Sequence, residues 1–583
     1  MNGGDTAWVL ICAGLVLFMT PGLALFYGGM VPVRNVLTMM MQNIIPLGII
    51  SVTWVLVGYT LAFSNEGDSV FGRFDAFALL DVDTPRFHTV AAGVTIPALA
   101  FVAYQMMFAV ITPALLTGAT AGRLKFAGWT VFLAAWSILV YPQVARWLWH
   151  PDGWLVRLGA QDWAGGMVVH AAAGAAAIAV LLVVGRRRGW PHAKTSPNNL
   201  PLMLAGAGIL WFGWFGFNAG DGLQANAVAA QALMNTHIAG AAAMLTWLLV
   251  ERLSGGRSTL VGAASGAIAG LATITPCAGF VNTGSALIIG LVAGCVCCFA
   301  VRAKRRLHYD DALDVIAVHF VGGVLGSFLL GFFADSTINP VSADGLFAGG
   351  GGRLLWHQVV AILSVVAFSF ILSWIIAALI SRTMGLREPG PEQDDLDRVQ
   401  QGASGYALSG ILARPTTSGR GAKADGGAPP AEVGAGGNDG TQHPAAPGTG
   451  TGTGRVQPAR PAGTDGSAGA AGGTGRGGSV RAHGDALDVH HLISAVVNTS
   501  RVDGLRDALL MAGARSVELS ETTVYTGRIR TELFRSEKRT LDFDDRLRVQ
   551  AGVDDEHEEA VVAVLKRFGA EPHTIHRLDV TPY

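Results

Sequence analysis

Eleven apolar runs divide the chain between residues 6 and 381, each close to the about 20 residues a helix needs to cross a bilayer. They fall at 6–30, 37–63, 94–120, 126–148, 163–185, 200–218, 232–253, 258–275, 283–302, 314–334 and 357–381. Inside lipid each backbone polar group must be satisfied within its own segment, so runs of this length are expected to be helices of a polytopic bundle. Gly and Ala are dense in many of them, as in GAASGAIAG (262–270), which permits close helix packing. The opening MNGGDTAW has no basic region before the apolar stretch, and no convincing cleavage site follows it, so the first run is expected to be a true span.

Charge gives the orientation. Arg34, Arg123 with Lys125, Arg186, Arg187 and Arg188 with Lys194, Arg252 with Arg257, and RAKRR (302–306) occupy alternate connections. The loops between them are acidic or mixed, with Glu66, Asp68, Asp75, Asp81 and Asp83. The positive-inside rule then places the N-terminus outside and the C-terminus in the cytoplasm of a multi-pass plasma-membrane protein. An odd number of spans requires the same.

A formal net charge of −1 gives no sign of nucleic-acid binding. The cluster Cys295, Cys297 and Cys298 lacks the spaced pairs of a zinc site and reads as small, buried, reduced side chains. No nucleophile–base constellation, phosphate loop or metal cluster marks the chain as an enzyme, and no cofactor is expected.

The fifth run opens DWAGGMVVH, with Asp162 at its start and His170 inside it. Ionisable groups at membrane depth are costly and usually face a protein interior. One such histidine alone is as readily a satisfied core residue. The tenth run, DVIAVHFVGGVLG, repeats the pattern with Asp314 and His319. Five spans per half give the halves opposite orientations, the arrangement of inverted-repeat transporters with a midplane site between repeats. The expected fold is therefore an all-α polytopic membrane protein of eleven transmembrane helices in an inverted 5+5 repeat.

Six blocks, in order, resemble the signatures of the Amt/Mep/Rh ammonium transporters: DTAWVLICAGLVLFMTPGLALFYGGM, YQMMFAVIT, DWAGGMVVH, WFGWFGFNAG, ATITPCAGFV and DVIAVHFVGG. The resemblance spans residues 5 to about 385. It implies a homotrimer in which each subunit has its own narrow, apolar pore. It also implies that His170 and His319 are twin pore histidines and that Phe108 and Phe217 are stacked rings closing the outer mouth. Trp149 matches the aromatic wall of the outer cation site, Asp162 an essential acidic residue outside the pore, and Trp214 a pore-flanking aromatic. Each of these aromatics taken alone reads as core packing.

The physics suits those roles. An ammonium ion in an aromatic cup gains about 0.5–2 kcal/mol from cation–π contact. Deeper burial as an ion costs several kcal/mol and favours loss of the proton. Ammonia can then cross an apolar pore, whereas K⁺ and Na⁺ have no proton to shed. Two imidazoles supply a polar stepping stone and a proton relay. One position departs from the family, where the residue after GFNAG is usually a coordinating Ser and here is Asp221. A carboxylate there either binds the cation more tightly and releases it more slowly, or faces the vestibule and concentrates cations. Arg146 and Arg157 are candidates to neutralise it.

Residues 386–411 partly resemble the family's cytoplasmic tail, which couples neighbouring subunits. Residues 412–486 are Gly, Ala, Pro, Thr and Ser with scattered charge, a composition that builds no core and reads as a disordered linker. Some 70 such residues span roughly 45 Å on average.

From 487 the pattern reads strand, helix, strand, strand, helix, strand, an α+β ferredoxin-like βαββαβ order. RTELFRSEKRTLDF (530–543) resembles the long mobile loop of P-II nitrogen signalling proteins, which block ammonium transporters from the cytoplasm. Arg535 matches the arginine that such loops push into the pore; alone it reads as a solvated surface charge. The usual modified Tyr is Arg539 here, and the Gly/Lys-rich phosphate loop and the usual Gln are missing. Nucleotide and 2-oxoglutarate are therefore not assigned, and the effector is left open.

Three readings follow: an ammonium transporter with a tethered P-II-like module docking on its own pore, an ammonium sensor signalling through that module, and a gas channel in the Rh manner. Trp149 and its aromatic site weigh against the third.

Overall fold

The computed structural model describes residues 2–64, 67–80, 96–191, 196–406, 491–498, 505–532, 538–568, 570 and 575–579. By contacts the chain forms two compact units, 1–425 and 426–583. The linker expected over 412–486 lies outside the described residues.

Among the described residues of the first unit, ten helices are long and apolar enough to cross a membrane: α1 Gly3–Met30, α2 Val33–Phe63, α3 Ala98–Thr120, α4 Phe126–Leu158, α5 Gly166–Val184, α6 Leu200–Ala219, α7 Ala227–Leu253, α9 Thr283–Lys304, α10 Ile316–Phe333 and α11 Arg353–Thr383. The remaining run, 258–275, forms α8, Leu260–Ile274, which is shorter. At 1.5 Å per residue its 15 residues reach about 22 Å, less than the hydrocarbon core. It is buried along nearly its whole length and packs on α6, α7 and α9.

Several run boundaries shift, α7 starting at Ala227 rather than 232 and α11 at Arg353 rather than 357, and two further shifts bear on the site. The run expected at 126–148 extends to Leu158, because the chain breaks at Val140 and Tyr141–Trp149 and Trp154–Leu158 form separate helical pieces. The run expected from 163 starts as helix only at Gly166, after Gly165 adopts a φ of 106° that favours glycine.

Residues 386–406 bond to the ends of the helices. Asp397 accepts from the backbone N–H of Leu37 and Thr38 at 3.0 and 2.8 Å, capping the first turn of α2. Glu388 N–H donates to the Arg123 carbonyl, and Arg387 donates to the carbonyl of Val184, the last residue of α5.

The second unit holds β1 His491–Asn498, α12 Leu505–Met511, β2 Ser516–Glu532, β3 Lys538–Val553, α13 Glu558–Arg567 and β4 His576–Asp579. Every pairing is antiparallel, in the order β2-β3-β1-β4. Ile493, Ala495 and Val497 share one face of β1 and pack with Leu505, Leu509 and Leu565 from the helices. The mobile loop expected at 530–543 is instead largely ladder: Arg530 pairs with Thr540 and Glu532 with Lys538. Arg535 lies outside the described residues.

Candidate functional site

His170 and His319 each sit where the helix opens by one residue. His170 N–H bonds the carbonyl of Gly165, and Val321 N–H bonds that of Ile316, both five residues back. Such wide turns recur at functional sites because they re-aim a side chain. Both histidines are buried, at 1 % and 4 % exposure. Their rings stack with centroids 5.3 Å apart and 21° between planes, and their Nδ1 atoms lie 3.3 Å apart.

A carboxylate anchors each turn. Asp162 Oδ1 accepts from the N–H groups of Gly165 and Gly166 at 3.2 and 2.6 Å, and Oδ2 from Met167 and Val168 at 2.8 and 2.9 Å. These are donors that a helix start otherwise leaves unpaired, and the charge suits the positive end of the helix dipole. Asp162 therefore orients the His170 turn rather than facing the pore.

In the second half the partner is not Asp314. Asp311 accepts from Val315 and Ile316 N–H at 3.1 and 2.7 Å, whereas Asp314 pairs with Lys304 at 2.5 Å. Asp311 precedes His319 by the same eight residues that separate Asp162 from His170. That equal spacing is the sequence signal that identifies it.

A second internal match fixes the approach. Gly174 and Gly323 each follow a histidine by four residues. A Cβ on Gly174 would stand 2.4 Å from Phe320 Cβ; one on Gly323 would stand 2.6 Å from the Gly166 carbonyl oxygen and 2.7 Å from His170 Cβ. Only glycine lets the two turns come this close.

The aromatic residues expected at the mouth come together. Phe108 and Phe217 lie 4.3 Å apart by centroid at 38°, and Trp149 meets Phe108 edge-on at 5.7 Å. Trp149 Nε1 donates to the Asp162 carbonyl oxygen at 2.9 Å, so one residue anchors both the aromatic wall and the His170 turn. Trp214 stacks on His170 at 5.6 Å and donates to Thr275 Oγ1 at 3.0 Å. The Tyr104 hydroxyl, absent from the sequence reading, donates to the carbonyls of Gly216 and Phe217, and its ring packs on Phe108.

Beside the rings is a cavity of about 10 Å³, bounded by Phe217, Trp214, His170, His319, Tyr27 and Leu115. That is the room of about one water-sized molecule. Apart from the imidazoles its wall is mostly apolar.

Asp221 stands four residues beyond Phe217, with Oδ1 buried and without a hydrogen-bond partner. The two arginines considered for it are engaged elsewhere. Arg146 donates to the carbonyls of Ser64 and Asp68, and Arg157 pairs with Asp152.

Residues 7–406 match the model of the Ammonium Transporter Family. The chain is 44% identical to an ammonium transporter of Mycobacterium tuberculosis over 431 residues, covering 70% of this chain and 90% of that protein. It is 43% identical to an ammonium transporter of Bacillus subtilis over 408 residues, covering 70% and 99%. The crystal structure of Candida albicans Mep2 superposes with a TM-score of 0.64 at 32% identity, covering 70% of this chain and 94% of that one.

Proposed function

This chain belongs to the ammonium transporter family, and from that premise we propose that it recruits ammonium, strips its proton and passes ammonia along the paired histidines. The observation that carries the reading is the contact of His170 and His319 in a one-molecule apolar cavity against the Phe108–Phe217 pair. Trp149 and Phe108 offer ring faces to a cation at the mouth, worth about 0.5–2 kcal/mol. Asp221 adds a carboxylate there. Beyond the rings a bare cation loses its hydration without replacement, so ammonia is the form that moves on. The transporters named above favour flux over sensing.

In this reading the transporter is a homotrimer of the plasma membrane, its N-terminus outside and C-terminus cytoplasmic, its halves related as an inverted 5+5 repeat. The βαββαβ unit is a ferredoxin-like, P-II-like regulator. It docks through Arg535 on the cytoplasmic pore face, and the 412–486 linker makes that encounter intramolecular, at an effective concentration on the order of millimolar.

The test is ammonium uptake by proteoliposomes, with K⁺ as competitor, for the full chain and for a chain ending at 411. Uptake above protein-free vesicles that K⁺ does not suppress supports the reading; uptake equal to protein-free vesicles overturns it.

A further inference from the structure

We propose that the cavity beneath the tail is a binding site for a small phosphate ester, held by Asn35, Arg187 and Arg188, with Asp394 as the group it displaces. The inference goes beyond transport and stands whichever way the uptake test falls.

The cavity measures about 310 Å³. Small-molecule sites run from about 300 to about 1,000 Å³. Its walls are the ends of α1 and α3, the residues after α5, the segment leading into α10, and the tail. Two of those helices also bound the histidine cavity, through Tyr27 of α1 and Leu115 of α3. The segment before α10 rests on the end of α3, where Ala312 and Leu313 N–H donate to the carbonyls of Ala119 and Gly118. An occupant therefore lies further along the same helices as the paired histidines.

Three side chains bring donors to this space. Asn35 is buried, at 6 % exposure. Its Oδ1 accepts from the tail's Leu396 N–H at 3.1 Å, and its Nδ2 has no acceptor among the described residues. Arg187 bonds Asp310 through Nε and Nη2, which leaves Nη1 without an acceptor among them. Both side chains flank one point: a Cβ on Gly122 would stand 3.4 Å from Asn35 Nδ2 and 3.8 Å from Arg187 Cδ. Arg188 is the third. Its Nη1 meets Asp394 Oδ2 at 3.1 Å, in a pair exposed on both sides and therefore weak.

The charge around the cavity favours an anion. Arg123 and Arg187 share the one carboxylate of Asp310. Arg387 donates to the Val184 carbonyl and the Gln393 side chain, while Glu388 accepts from Gln400. Among the residues lining the cavity, Asp394 is the one carboxylate against two guanidiniums. A guanidinium presents a fork of N–H donors that fits phosphate oxygens. Donors converging from three side chains suit a tetrahedral group with several oxygens better than a planar carboxylate with two. Val31, Pro32, Pro197 and Leu313 then give the rest of the ester an apolar wall. A phosphate seated there takes Arg188 from Asp394 without any covalent change.

The experiment is calorimetric titration of the full chain in detergent with phenyl phosphate, inorganic phosphate and benzoate. It compares the unaltered protein with Asn35→Asp, Arg188→Gln and Asp394→Asn. Phenyl phosphate is expected to bind saturably, severalfold tighter than either of the other two probes. Asn35→Asp keeps the acceptor for Leu396 but turns the donor into an acceptor. It and Arg188→Gln should each weaken binding at least about tenfold. Asp394→Asn removes the competitor and should tighten binding severalfold. Substitutions that merely loosened the tail would weaken binding in all three, so the opposite sign separates a site from a structural effect. Benzoate or inorganic phosphate binding as tightly as phenyl phosphate overturns the assignment to a phosphate ester. No saturable binding to the unaltered protein, weaker binding in Asp394→Asn, or binding that the three substitutions leave unchanged overturns the inference.

Discussion

His170 and His319 share a single hydrogen bond, Nδ1 to Nδ1 at 3.3 Å, which forces their rings into opposite tautomers. One ring donates from Nδ1 and leaves its Nε2 to accept; the other accepts at Nδ1 and donates from Nε2. A guest therefore meets an acceptor on one ring and a donor on the other. Ammonia, which does both, is well matched, and a metal cation would face a donor it cannot use. Replacing either histidine by Ala is expected to collapse ammonium uptake or its selectivity against K⁺. Unchanged uptake and selectivity in both variants would remove the pair from the mechanism.

The carboxylates behind the histidines separate by role. Asp162→Ala and Asp311→Ala each strand backbone donors at a helix start and are expected to cost on the order of 2 kcal/mol. Asp314→Ala loses only a partly exposed pair with Lys304, worth about 0–1 kcal/mol. Thermal unfolding of the three variants in detergent decides the ranking. An Asp314 variant as damaged as the Asp311 variant would contradict it.

Gly174 and Gly323 hold the turns together by having nothing to place between them. Ala at either position meets backbone or Cβ atoms at 2.4–2.6 Å and is expected to cost about 1–3 kcal/mol of stability. Because the displaced atoms belong to the histidine turns, uptake should fall more than in a control such as Gly208→Ala, where an added Cβ meets nothing within 4 Å. Equal uptake in the three variants would show that the separation of the turns is not critical.

Much of the membrane unit was legible in the sequence, because lipid imposes run length and burial makes a lone imidazole conspicuous. Ten of the eleven runs are helices long enough to cross, and the twin histidines and mouth aromatics come together. The carboxylate partner of His319 was misread because Asp314 stands at the edge of the apolar run, while the capping Asp311 lies outside it. Hydropathy marks where a span begins; spacing to the histidine marks what caps it. Gly174 and Gly323 were passed over because Gly is common in these spans, and their role depends on contacts with the other half. Polar loop composition likewise hid the extension of β2 to Glu532 and of β3 back to Lys538, since strand pairing there is between backbones.

Regulation by the second unit yields its own expectation. If Arg535 plugs the cytoplasmic mouth, Arg535→Ala and deletion of 487–583 should each raise basal uptake, and the two combined should add nothing further. Uptake in vesicles, measured with and without candidate effectors, checks this. Deletion without effect under every effector tried would contradict the plug.

The most direct measurement is the rate at which ammonium accumulates inside proteoliposomes in acidic buffer, where permeant ammonia is scarce and lipid leakage small. The unaltered protein should accumulate ammonium faster than protein-free vesicles, saturably and with K⁺ in excess, and His170→Ala with His319→Ala should return the rate or the selectivity to background. Accumulation no faster than in protein-free vesicles, or uptake that the double variant leaves untouched, would contradict the account.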